Sequence, residues 1–339
     1  MKRFGTLFFR RRPLFFGVLS LVCVLMAGLI FHTDLPGRSY FGPLPPLTEP
    51  ERVLSRNLKA HVDYLAGEIG ERNLSRYAEL NAAARYIRET LARSGYRISD
   101  QEYTARGKTV HNIEAARPGV SRPEEILVVG AHYDSVFGSP GANDNGSAVA
   151  AMLEMARLLA ESSLAGTVRF VAFVNEEPPF FQTDLMGSRV YARRCRENGD
   201  DIFGMISLET IGFYSDEPGS QEYPFPLGML YPETGNFIGF VGNLGSKSFL
   251  DRCIRAFRNT AEFPSEGTAA PGWMTGIGWS DHWAFWKEGY AGVMVTDTAP
   301  FRYPYYHTSR DTPDKIDFDR LARVTAGLSR TVAVLADGQ

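Results

Sequence analysis

The chain has 339 residues, 44% of them hydrophobic and 22% charged, with a formal net charge of -3. This is globular composition and excludes a largely disordered chain. The near-neutral charge leaves no electrostatic case for a nucleic-acid partner.

The first predicted element is a membrane anchor. Residues 13–31 read PLFFGVLSLVCVLMAGLIF without a charge, close to the roughly 20 residues that cross a bilayer. Lys2, Arg3, Arg10, Arg11 and Arg12 precede the run, and no basic cluster follows it. Positive charge stays on the cytoplasmic side, so the body is expected in the periplasm or outside the cell. Leu29, Ile30, Phe31 and His32 are too bulky for a signal-peptidase site, which favours an uncleaved anchor. We divide the chain into a cytoplasmic tip and anchor (1–32), a stiff Pro/Gly-rich linker (33–50) and one catalytic domain (51–339). Of the cysteines, Cys23 lies in the apolar run, and none sits in a Cys-x-x-Cys pair, which excludes a thiolate zinc knuckle. Cys195 and Cys253 read as buried free thiols rather than a disulfide.

Beyond the linker, Leu80, Ala83, Ala84, Ile87 and Leu91 share one helical face, and Gly95 stops that helix. Tyr96–Tyr103 and His111–Ala115 are strand-like. Ile126–Gly130 is a continuous apolar run, as expected of a strand buried on both faces. Residues 147–160 read as a helix, 168–174 as a buried strand, 184–198 as a helix and 205–208 as a strand. Residues 215–245, rich in Pro and Gly, read as a long loop region. Helices over 246–260 and 317–335 flank a strand at 291–296. Strands alternating with helices predict a three-layer αβα sandwich around a mixed, mainly parallel sheet.

In such sheets, sites form at the carboxyl ends of the strands. His132 follows the 126–130 run, Glu176 and Glu177 follow the 168–174 run, and Glu209 follows 205–208. Asp144 lies in the turn opening the 147–160 helix, and His307 follows the last strand and a loop. Imidazole and carboxylate without thiolate suit zinc in a hydrolytic site. Five ligands with one shared carboxylate suit two ions about 3.5–4 Å apart. On an extended segment Glu176 and Glu177 point different ways, so one can bind metal while the other serves as a base. Asp134, two residues after His132, shares its face and is expected to accept the second imidazole N–H. Asp281 and His282 either shape the site or start the helix 281–288 with Asp281 as N-cap, the reading we favour, and His32, His61 and His111 read as ordinary residues. The aromatic stretches around Phe180, Phe181, Trp273, Trp279 and Trp283 fit a side-chain pocket and fit core equally.

The ordered set VVGAHYDSVFGSPGANDNGSAVAAMLEMARLLA, FVNEEPPFFQTDLMGSRVYA and SDHWAFWKEGYAGVMVTDTAPFRYPYYHTSRDTPD resembles the M28 family of metallopeptidases over residues 52 to 336. The resemblance implies two zinc ions per chain and peptide substrates. It implies that His132 and Glu209 hold one metal, Glu177 and His307 the other, and that Asp144 bridges them. Glu176 falls on the family's general base, and the 144–145 peptide bond on a non-proline cis bond. The chain departs from the pattern at Glu209, where many family aminopeptidases carry Asp. The expected activity is an aminopeptidase. The alternatives are a single-zinc glutaminyl cyclase and a carboxypeptidase or amidase of the same fold. A non-catalytic ectodomain is disfavoured because Glu176 and all five ligand positions are present.

Overall fold

The computed structural model describes residues 35–225 and 227–338. The apolar run at 13–31, Cys23 and His32 lie outside the described residues. Among the described residues, no helix is long and apolar enough to cross a membrane.

A capping box starts the first helix, α1 (Glu49–Val62): the Glu51 amide donates to the Thr48 hydroxyl, and the Thr48 amide donates to the Glu51 carboxylate at 2.8 Å. A π-helical stretch, Asp63–Ile69, continues it. There follow α2 (Tyr77–Arg93), β1 (Ile98–Ala105), β2 (Lys108–Arg117), β3 (Arg122–His132), α3 (Ala148–Leu159), β4 (Gly166–Phe173), α4 (Gly187–Asn198) and β5 (Asp201–Glu209). The chain ends with β6 (Ile238–Asn243), α5 (Lys247–Thr260), β7 (Ser265–Ala270), α6 (His282–Lys287), β8 (Gly292–Thr296) and α7 (Phe318–Ala336).

The strands form one eight-stranded sheet in the order β1-β2-β4-β3-β5-β8-β6-β7. β4, β3, β5 and β8 run parallel in the centre, while β1, β2 and the β6–β8 pairing are antiparallel. Alternation along β3 feeds both faces. Leu127, Val129 and Ala131 join the larger core, whereas Ile126 and Val128 join a smaller one with Tyr191 and Cys195 of α4 and Phe285 of α6. That division makes the three layers. Gly130 is required by this packing, because a Cβ there would come within 2.3 Å of the Phe173 ring.

Two strands were not legible. β6 lies inside the stretch read as loop, and β7 was not predicted. Their sequences, IGFVGN and SEGTAA, are short and broken by glycine, so neither shows an apolar run. The helix expected from 184 starts at Gly187. The Pro/Gly-rich stretch, expected as a stiff extended linker, is laid against the body: Ser39 Oγ accepts from the Ser265 amide at 2.8 Å, and Arg258 donates to the Pro36 and Gly37 carbonyls. Cys195 and Cys253 are buried free thiols.

Candidate metal centre

The parallel strands deliver the site. β3 ends on His132 and β5 on Glu209, and Glu176–Glu177 follow the end of β4. Asp144 sits in the turn that enters α3, and His307 in the loop between β8 and α7. Asn175, Thr210 and His307 are non-glycine residues with φ of 59°, 44° and 57°. Such backbone costs about 1–3 kcal/mol per residue and clusters at functional sites. The Asp144–Asn145 peptide bond is cis.

Two donor groups result, His132–Asp144–Glu209 and Asp144–Glu177–His307, and Asp144 belongs to both. His132 Nε2 lies 3.4 Å from Asp144 Oδ1 and 3.3 Å from Glu209 Oε2. His307 Nε2 lies 3.1 Å from Asp144 Oδ2 and 3.4 Å from Glu177 Oε2. All four separations exceed the roughly 2.9 Å of an N–H···O bond. Donors on one tetrahedral zinc at 2.0–2.2 Å sit about 3.3–3.6 Å apart, which is close to what is seen. His132 Nε2 and Asp144 Oδ2 are buried and have no hydrogen-bond partner. Oxygen and nitrogen donors, a shared carboxylate and orphaned donor atoms together fit zinc.

Electrostatics agree. Burial pushes the Glu176 carboxyl well above its ordinary range, and Glu209, Asp281 and Asp134 add to it against His132. Burial also raises Glu177, with Asp144 and Glu176 adding, and raises Glu209. Asp144 moves the other way: burial opposes its charge, but the adjacent His132 and His307 imidazoles outweigh it. For His132, burial disfavours the charged form, yet Glu209 and Glu176 raise it well above an ordinary histidine. So many crowded carboxylates call for cations.

The surrounding residues hold the donors in place, and the sequence did not reveal most of them. The fully buried Arg72 donates to the carbonyls of Tyr133 (2.7 Å), Pro140 (2.5 Å) and Gly141 (2.8 Å), which fixes the loop leading to Asp144. Gly141 has φ of 65°, and a Cβ there would meet Asp144 O at 2.5 Å. Asp311 accepts the amides of Asn143 (2.8 Å) and Asp144 (3.1 Å). The Asn145 side chain donates to the Leu208 carbonyl at 2.9 Å and accepts the Thr210 amide at 3.0 Å, tying the turn to both flanks of Glu209. Ser280 donates to Glu209 Oε2 at 2.7 Å.

Two expectations are corrected. Asp134 does not fix the His132 tautomer through its carboxylate. His132 Nδ1 lies 3.1 Å from the Asp134 carbonyl oxygen, while the carboxylate accepts the amides of Glu176 and Glu177 at 3.1 Å each. The two acceptors compete, and the backbone amides of the neighbouring strand end lie nearer the carboxylate than the ring does. Asp281 precedes α6 without a side-chain cap bond, and both its oxygens are buried and unpartnered. Burial raises its carboxyl to about 7. His61 meets Tyr86 and Glu154, away from the donor groups.

Asp144, Glu177, Glu209 and His307, together with Glu176, line a cleft with Pro178, Phe181, Trp279 and Tyr306. Glu209, Trp279 and Tyr306 also border an apolar cavity, whose walls include Leu227, Val241 and Ile277. The aromatic stretches therefore divide: Phe181 and Trp279 line the site, and Phe180 is core.

A parallel α/β sheet carrying two linked donor groups at its strand ends defines a metallohydrolase. The chain belongs to peptidase family M28, whose family model matches residues 112–332, and is thus a zinc metallopeptidase. It is 33% identical to the uncharacterized protein YfbL of Escherichia coli K12, over 94% of this chain and 97% of that one. It is 27% identical to leucine aminopeptidase 1 of Arthroderma otae, over 62% of this chain but 54% of that relative. Among solved structures the fold is shared with BSAP, a zinc aminopeptidase from Bacillus subtilis (TM-score 0.66, 16% identity, 82% of this chain and 94% of that one). It is also shared with a glutaminyl cyclase from Bacteroides thetaiotaomicron (TM-score 0.62, 17% identity, 84% and 98%).

Proposed function

We propose that the chain is a two-zinc aminopeptidase that removes apolar N-terminal residues from peptides. The observation that carries this is the pair of donor groups joined through Asp144, with a further carboxylate, Glu176, beside them and outside both. In this reading His132, Asp144 and Glu209 hold one ion, and Asp144, Glu177 and His307 the other. Zinc bound there supplies an activated water and polarises the scissile carbonyl. Glu176 faces the same cleft and takes the proton from the attacking water, then returns it to the leaving amine. Its raised affinity for a proton, owed first to burial, suits that exchange. Asp134 holds the Glu176–Glu177 backbone so that the base and a ligand keep their relative position.

The apolar cavity beside Glu209 takes the first side chain, and its walls carry no charge besides Glu209 at the border. The carboxylates of the adjoining metal cleft attract a free α-amine. Leucine aminopeptidase 1, a relative by sequence, is named for a residue of this kind. The glutaminyl cyclase of the same fold keeps a second reading open to test. The purified chain is offered a leucine-initiated peptide, its N-acetyl form and a glutamine-initiated peptide. Free leucine from the first alone supports the proposal, and pyroglutamate from the third with no leucine from the first overturns it. The charge pattern of residues 2–31 supports a domain outside the cytoplasm, and activity of a C-terminal reporter that works only in the cytoplasm would contradict that placement.

A further inference from the structure

All four tryptophans of the chain, Trp273, Trp279, Trp283 and Trp286, line one open cleft beside the metal centre. Two of them are firmly built in. Trp286 donates from Nε1 to the Gly292 carbonyl at 3.0 Å and meets His282 edge-on at 4.5 Å. Trp283 carries Lys287 Nζ above its ring at 5.1 Å. The other two are presented to solvent, Trp273 at 86% and Trp279 at 43% exposure. Trp279 lies parallel to Phe301, 6.3 Å between centroids, and forms a wall common to this cleft, the metal cleft and the apolar cavity. Large exposed aromatic surface next to a site marks a binding surface.

The two spaces that meet at Trp279 differ in kind. The cavity is walled by buried side chains such as Leu227 and Ile277, so it suits a side chain that ends there. The tryptophan cleft is open along exposed rings, so a chain can continue through it. No acidic side chain lines it, and Lys287 is its one charged lining residue. That polarity suits a peptide segment that ends in a carboxylate.

We propose that the tryptophan cleft binds the leaving portion of the peptide, the residues on the carboxyl side of the scissile bond, by stacking a flat side chain on Trp273 and Trp279. This inference rests on the aminopeptidase reading, and it adds a preference for an aromatic residue after the bond that is cut.

The test compares leucinamide, which has no leaving chain, with Leu-Phe-Gly, in the wild type and in Trp273→Ala. Trp273 is exposed, so its removal leaves the core intact. The ratio of kcat/KM for Leu-Phe-Gly over leucinamide is expected to fall about threefold to tenfold in the variant through KM, the scale of one aromatic pair. An equal loss on both substrates, or no loss, overturns the inference. Because every tryptophan lies in the cleft, intrinsic fluorescence reports on it without turnover. Titration with N-acetyl-Phe-Gly, a leaving portion whose blocked amine keeps it from being a substrate, is expected to give a saturable change in the wild type that is weakened in Trp273→Ala. Turnover with no fluorescence change and an unaltered ratio refutes the cleft alone. Absence of turnover on every free-amine peptide refutes the aminopeptidase reading, and the titration still decides whether the cleft takes peptide.

Discussion

Replacing Asp134 by asparagine tests how this residue serves the metal centre. Its carboxylate accepts the amides of Glu176 and Glu177 at 3.1 Å each, and lies 3.6 Å from His132 Nδ1. Asparagine keeps one acceptor and turns an N–H group toward the other amide. One hydrogen bond to a charged acceptor is lost, about 1.5–3 kcal/mol. That corresponds to roughly 10- to 150-fold in an equilibrium constant. The loss falls on the Glu176–Glu177 backbone, which carries a donor of the Asp144–Glu177–His307 group and none of the His132 group, so it should weaken the former and leave the latter nearly intact. Two backgrounds resolve this: Glu209→Ala preserves the first of these groups, and His307→Ala the second. Zinc affinity is measured by competition with a chelator in each. Asp134→Asn is expected to weaken binding about tenfold or more in Glu209→Ala and by much less in His307→Ala. The reverse pattern would show that Asp134 acts through the His132 imidazole and refute the geometry argued here.

Glu176→Gln is expected to retain zinc and fold while kcat falls about 10²–10⁴-fold. Unchanged kcat removes Glu176 as base, and loss of zinc makes it a ligand. Arg72→Met takes the guanidinium from the Tyr133 and Pro140 carbonyls, while the Gly141 carbonyl keeps the Gly146 amide at 3.1 Å. At about 1–3 kcal/mol for each of the two, the zinc-free protein should lose at least roughly 2 kcal/mol in urea unfolding, and a loss below about 1 kcal/mol contradicts the role. Burial lowers the His282 pKa to about 4, and its Nε2 lies 2.8 Å from the Ile277 carbonyl oxygen. The unfolded ring, near 6.5, takes up its proton first as pH falls. The stabilisation is therefore complete above about pH 6.5 and declines toward pH 4, by roughly 3 kcal/mol in all. The zinc-free His282→Gln variant should show a shallower decline over that window, and an identical slope refutes the assignment.

The sequence made the sheet centre and the donors legible for the same reason. Buried parallel strands are continuous apolar runs, and the polar residues that end them, His132, Glu176, Glu177 and Glu209, stand out by contrast. β6 and β7 carry glycine and little apolar contrast, so periodicity missed them. Arg72, Asp311 and Ser280 were missed because their partners lie 69, 167 and 71 positions away, and nothing local marks them. Asp134 was noticed for its spacing, but spacing alone did not distinguish the neighbouring imidazole from the amides of an adjacent strand end. Asp281 looked like a helix cap because an aspartate usually is one before a helix. Only burial and its unpartnered oxygens show otherwise.

The central claim is that two ions act together at one centre. Zinc-free protein is titrated with zinc while leucine release from a free-amine peptide and bound metal are followed together. The account predicts binding of about two ions per chain, with activity reaching its maximum only as the second site fills, and about one ion in Glu209→Ala. Full activity at one bound ion, with no second ion taken up, would contradict it.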